Sequence, residues 1–128
     1  MKIDHIGIFA HNTKLLASWY ESVLGMKIVQ TLLKEGRPPI YFLRGEEEIE
    51  VEILPSSLKR LKRKLNDPGC SHLAILVKDF EKSAKSLREK GIDLHDIRTT
   101  SHGWTVGYFQ DLEGNDLELV YRPQGRMV

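Results

Sequence analysis

Four side chains of this 128-residue chain have the types and spacing to act together on one ion, namely His5, Glu52, His72 and Glu118. His5 and His72 stand 67 positions apart, and Glu52 and Glu118 stand 66 apart. Each histidine precedes its glutamate by nearly the same interval, 47 and 46 positions. Two imidazoles and two carboxylates form a mixed nitrogen and oxygen donor set that suits a divalent first-row metal. Zn²⁺, Ni²⁺, Co²⁺, Mn²⁺ and Fe²⁺ are all chemically reasonable, and affinity order does not choose among them. Four protein ligands on an octahedral ion leave two positions for water or substrate, which marks a catalytic rather than a structural site. A lone strand histidine is ordinarily structural. A His–Glu pair repeated at matched offsets is not explained that way.

The elements around these residues repeat as well. Ile3 to Phe9 alternates, with Ile3, His5, Gly7 and Phe9 on one face and Asp4, Ile6 and Ile8 on the other. Asn12 or Thr13 then caps an amphipathic helix built on Leu15, Leu16, Trp19, Tyr20 and Val23 and stopped by Gly25. Strands follow over Met26 to Leu33, Ile40 to Leu43 and Ile49 to Leu54, the last with Glu50 and Glu52 opposite its aliphatic face. A register slip of two would exchange Glu50 for Glu52 without changing the face. Glu46 to Glu48 reads as a solvated turn. Leu58, Leu61 and Leu65 mark a basic linking helix, ended by Asn66-Asp-Pro-Gly69.

After that break the order recurs. Ser71 to Val77 is a strand, Asp79 caps a helix over Phe80 to Lys90, and Ile92 to Ile97, Thr105 to Gln110 and Asp116 to Arg122 are strands. The last two form a hairpin around Gly114-Asn115, with Leu117, Leu119 and Tyr121 facing one way and Asp116, Glu118 and Val120 the other. Two β-α-β-β-β runs predict an α+β fold. Its two βαβββ modules are expected to form a curved mixed sheet around a central cavity, with the helices outside. The expected organisation is a single domain over 1–128: module 1–55, linker helix 56–69 and module 70–128.

Composition narrows the function classes. Apolar residues make up 41% and charged residues 29%, an ordinary globular balance. With 19 basic against 18 acidic side chains there is no global field to recruit nucleic acid or an acidic membrane. No apolar run reaches membrane-spanning length. A lone Cys70 allows no intrachain disulfide and fits a reducing compartment, so a cytoplasmic location is expected.

The motifs Asp4-His-Ile-Gly-Ile8, Trp19-Tyr-Glu-Ser-Val-Leu-Gly25, Glu50-Val-Glu-Ile-Leu-Pro55, Ser71-His-Leu-Ala-Ile75 and Phe109-Gln-Asp-Leu-Glu-Gly-Asn-Asp-Leu-Glu-Leu119 run in order along nearly the whole chain. In these motifs the sequence resembles the vicinal oxygen chelate superfamily (glyoxalase, bleomycin resistance protein, dioxygenase). One departure is Leu112, where the hairpin turn usually carries proline. The resemblance implies metal ligands at His5, Glu52, His72 and Glu118. It implies the branch that includes glyoxalase I and methylmalonyl-CoA epimerase, because the ring-cleaving and fosfomycin-modifying members lack the acidic ligand of the first module. The implied chemistry is Lewis-acid stabilisation of an enediolate, with proton transfer next to a carbonyl by Glu118 or Glu52, Glu118 being the preferred base. The substrate would be a small carbonyl compound, thioester or thiol adduct, and the resemblance implies a homodimer. The alternative of another class is a small-molecule binding protein without catalysis, like the bleomycin-resistance relatives.

Other residues carry weaker signals. Alternate members of Tyr41, Phe42, Tyr108 and Phe109 line the cavity, and periodicity does not say which. Trp19 and Tyr20 are core residues, Cys70 a buried or loop thiol, and His11 and His95 surface residues. His102 is at the surface or the pocket mouth. Arg37 precedes Pro38-Pro39 in a loop, where it is either exposed or holds a substrate carboxylate or phosphate. The cluster Lys59-Arg-Leu-Lys-Arg-Lys64 reads as the solvated face of the linker helix rather than a nucleic-acid site.

Overall fold

A computed structural model describes residues 1–47 and 49–124. Glu48 and the last four residues of the expected second module lie outside the described residues. The chain divides into two compact units, Met1–Arg63 and Lys64–Val128. The division falls inside the expected linker.

In the first unit β1 (His5–Ala10), α1 (Thr13–Leu24), β2 (Lys27–Leu32), β3 (Ile40–Arg44) and β4 (Glu50–Pro55) follow the expected order. The sheet runs β1-β4-β3-β2, with β1 and β4 parallel and the other pairs antiparallel. The Asn12 side chain accepts from Leu15 N at 3.0 Å and so caps α1. Gly25 ends the helix at φ +69, a conformation that favours glycine. The helix buries Thr13, Leu16, Ala17 and Tyr20 and leaves Leu15 exposed. With Leu43, Val51 and Ile53 these residues form the core on one face of the sheet. Glu50, Glu52 and Leu54 alternate onto the other face.

The second unit repeats the plan with β5 (Leu73–Leu76), α2 (Phe80–Glu89), β6 (His95–Thr99), β7 (Thr105–Gln110) and β8 (Asp116–Tyr121). Its sheet runs β5-β8-β7-β6, and β5–β8 is the parallel pair. Asp79 caps α2 by accepting from Lys82 N at 3.0 Å. Phe80, Ala84, Leu87, Phe109, Leu117 and Leu119 are buried. Val120 is also buried although it alternates onto the Glu118 face, where its ladder partner Val106 is buried too. Both sheets carry an irregularity in the corresponding strand, between Ile28 and Gln30 in β2 and between His95 and Arg98 in β6. In β6 that irregularity includes Asp96 at φ +53, and the strand begins later than the alternation predicts.

Two expectations are corrected. Residues 56–69 form turns and irregular chain, not a linker helix. Leu58, Leu61 and Leu65 are 78%, 89% and 91% exposed, so their stripe has no surface to pack on. A short helix depends on such packing, and the cations of Lys59–Lys64 repel one another. β5 also begins later than expected, its ladder opening at Leu73↔Leu117, so His72 stands one residue before the strand.

Candidate functional site

In the first unit the β1–β4 register sets His5 beside Glu50 and Gly7 beside Glu52. His5 nevertheless meets Glu52, with Nε2 3.1 Å from Oε2. Glu50 is taken by the Arg44 guanidinium, its neighbour across β3–β4. Glu50 thus engages Arg44 while Glu52 meets the imidazole. The other ring nitrogen, Nδ1, lies 2.8 Å from the Asp4 carboxylate. Phe42 stands opposite Glu52 in β3 and meets the His5 ring edge-on at 5.5 Å. The hydrogen bond to Asp4 raises the His5 pKa above 6.5, with Glu52 and Glu50 adding to the effect and burial opposing it.

The second unit builds the same arrangement from different residues. His72 Nε2 lies 2.7 Å from Glu118 Oε2, and His72 Nδ1 lies 3.0 Å from Ser71 Oγ. Tyr108 stands opposite Glu118 and meets the His72 ring edge-on at 5.9 Å. Gln110 donates to Asp116 at 3.2 Å, where the first unit has Arg44 and Glu50. In both units the glutamate is the shielded partner: its side chain is 15% exposed at Glu52 and 12% at Glu118, against 40% and 34% for the histidines.

The position of Glu118 is fixed by a hairpin that Asp111 holds. This buried carboxylate accepts from the backbone N–H of Glu113 and of Asn115, both at 2.9 Å, and from Asn115 Nδ2 at 2.8 Å. Gly114 turns the chain at φ +86. Leu112 is exposed in this turn, so no buried packing depends on it.

Chemically, each pair brings one imidazole nitrogen and one carboxylate oxygen together within its own unit. Anchoring Nδ1 on Asp4 or Ser71 directs Nε2 and a carboxylate oxygen to one point, as outer partners do around bound metals. The nitrogen and oxygen donors fit a divalent first-row ion. Among the described residues, no three or more His, Cys, Asp or Glu side chains are gathered so as to hold one.

The remaining candidates lie elsewhere. His95 pairs with Asp96 at 2.7 Å on an exposed strand, though its ring also comes within 6.1 Å of Tyr108. His102 lies against Trp104, which carries the Arg122 guanidinium on its face at 3.9 Å. Cys70 is an exposed loop thiol. His11 Nε2 donates to Leu58 O at 2.7 Å, since a carbonyl oxygen only accepts. Asp4, Ser71 and Asp111 act as positioning groups; they lie within the sequence motifs, which assign them no role. The 67-residue offset between the histidines relates Asp4 to Ser71, and the 66-residue offset between the glutamates relates Phe42 to Tyr108, so extending the repeat finds these partners.

Comparison with known proteins agrees with this duplicated plan. A family model described as Glyoxalase/Bleomycin resistance protein/Dioxygenase superfamily matches residues 2–119. The uncharacterized protein YwkD of Bacillus subtilis (strain 168) is 31% identical over 121 residues, covering 91% of this chain and 94% of its own. The crystal structure of a glyoxalase family protein from Enterococcus faecalis superposes with a TM-score of 0.80 at 25% identity, covering 93% of this chain and 96% of that one. Lactoylglutathione lyase from Agrobacterium tumefaciens shares the fold with a TM-score of 0.72 at 16% identity, covering 98% and 97%.

Proposed function

The chain belongs to the glyoxalase/bleomycin resistance protein/dioxygenase superfamily, and from that premise we propose that it is a divalent-metal-dependent lyase or isomerase that moves a proton next to a carbonyl, in the manner of glyoxalase I. The observation that carries this reading is the His5–Glu52 pair in the first unit, matched by His72–Glu118 in the second. An acidic donor in each unit supplies two carboxylates, one more than a two-histidine, one-glutamate site has.

His5, Glu52, His72 and Glu118 would hold the ion, with one pair from each unit, drawn from one chain or from two chains of a homodimer. When bound, the ion supplies Lewis acidity that lowers the pKa of the C–H beside a coordinated carbonyl. Glu118 is the base: its shielded carboxylate removes that proton and returns it to the neighbouring carbon, so that the carboxylate is regenerated. Glu52 is the partner acid or base in this reading. Asp4 and Ser71 orient the imidazoles, and Phe42 and Tyr108 wall them.

Incubation of the Ni²⁺- or Co²⁺-loaded protein in deuterium oxide with α-oxoaldehyde thiohemiacetals, and separately with acyl-CoA thioesters, tests the reading. Glu118-dependent conversion or deuterium incorporation with the thiohemiacetals is the expected result. Exchange confined to the acyl-CoA would move the assignment to an epimerase. Tight binding of small molecules with no exchange in either would make the protein a binding module and overturn catalysis.

A further inference from the structure

The first unit contains a cleft of about 500 Å³ lined by His11, Arg37, Pro38, Pro55, Ser56 and Ser57. It lies where the parallel strands β1 and β4 end, at Ala10↔Pro55. We propose that this cleft binds an anionic group, a carboxylate or a phosphate, on the Arg37 guanidinium.

Among the described residues, the lining contains one guanidinium and no carboxylate. Arg44 pairs with Glu50, and Arg60 and Arg63 are engaged as well, whereas the Arg37 side chain has no protein partner among the described residues. The loop holding it is braced. Arg37 N donates to Lys34 O at 3.1 Å around Gly36 at φ +73, and Pro38 and Pro39 restrict the chain that follows. The rest of the lining is braced as well. Ser56 N donates to Ala10 O at 2.9 Å, Ser56 Oγ accepts from Leu58 N at 3.2 Å, and the His11 ring holds Leu58 O. Ser57 is an exposed residue of the lining, and the basic run Lys59–Lys64 follows directly. A planar guanidinium facing a carboxylate-free cleft suits bidentate binding of a carboxylate or phosphate.

Inorganic phosphate and succinate, titrated separately into the metal-free ¹⁵N-labelled protein at neutral pH, test the site by NMR. The expected result is saturable shifts of the Arg37 side-chain and Ser57 amide signals, weakened at least about tenfold by Arg37→Gln and changed less than about twofold by Lys62→Ala. Tighter phosphate binding would identify a phosphorylated ligand class, and tighter succinate binding a carboxylate. Unchanged affinity in Arg37→Gln, or shifts confined to residues 59–64, would overturn the site. Phosphate binding without metal uptake would contradict the proposed function alone, whereas metal uptake with Arg37-independent phosphate binding would contradict this inference alone.

Discussion

Glu52 reaches His5 on the diagonal of the β1–β4 ladder, Oε2 to Nε2 at 3.1 Å, because Glu50, the direct ladder neighbour of His5, is held by Arg44. The two glutamates therefore separate on mutation. Glu52→Gln is expected to weaken Ni²⁺ or Co²⁺ binding by more than the roughly 10–100-fold typical of losing a supporting partner. Glu50→Gln is expected to stay within about tenfold of the parent, below the cost of losing a ligand's supporting partner, because Glu50 pairs with Arg44 and not with a proposed ligand. Isothermal titration of both variants checks the order, and a reversed order would assign the ligand to Glu50.

The Asp4–His5 contact sets a pH dependence. The hydrogen bond to Asp4 raises the His5 pKa above 6.5 in the folded chain, so the folded state binds this proton more tightly than the unfolded state. The stability it contributes is complete below pH 6.5 and is lost as pH rises through the folded pKa. NMR titration of the metal-free protein should place the His5 midpoint above 6.5, and Asp4→Asn should lower it. A parent midpoint at or below 6.5 would contradict the coupling.

Asp111 anchors the turn that positions Glu118. Asp111→Ala leaves two backbone N–H groups and the Asn115 amide without their acceptor. The expected cost is roughly 1–3 kcal/mol of stability, read as a lower denaturation midpoint in urea. Leu112→Pro, at the exposed corner of the same turn, tests whether the residue usual in the family is tolerated here, and a change within about 0.5 kcal/mol is expected.

Leucines at helical spacing are not equivalent in the two settings where they occur. Leu61→Ser lies in the irregular segment and should change stability by no more than about 0.5 kcal/mol. Leu16→Ala opens a cavity beneath α1 and should cost about 2–5 kcal/mol. Chemical denaturation of both variants measures the contrast. A large loss in Leu61→Ser would mean that its side chain is buried in solution.

Much of this arrangement is legible in the sequence. Alternation puts His5 and Glu52 on the face opposite Ile6, Val51 and Ile53, and a repeat offset matches them with His72 and Glu118. Asn12, Gly25, Asp79 and Gly114 mark their turns and caps because each satisfies a local backbone demand. The 56–69 segment misleads because periodicity reports an apolar stripe without reporting whether a surface exists to bury it. The choice between Glu50 and Glu52 stays open in the sequence for a related reason. Both share one face, and only the cross-strand position of Arg44 distinguishes them.

Whether two His–Glu pairs, one in each unit, hold a single ion is tested most directly by elemental analysis of the purified protein. The protein is first loaded with Ni²⁺ or Co²⁺, and the metal content is read together with the oligomeric mass. One tightly bound ion per chain is expected, lost as completely in His72→Ala as in His5→Ala. Failure to bind either ion, or full retention when one of these histidines is removed, would contradict the shared site.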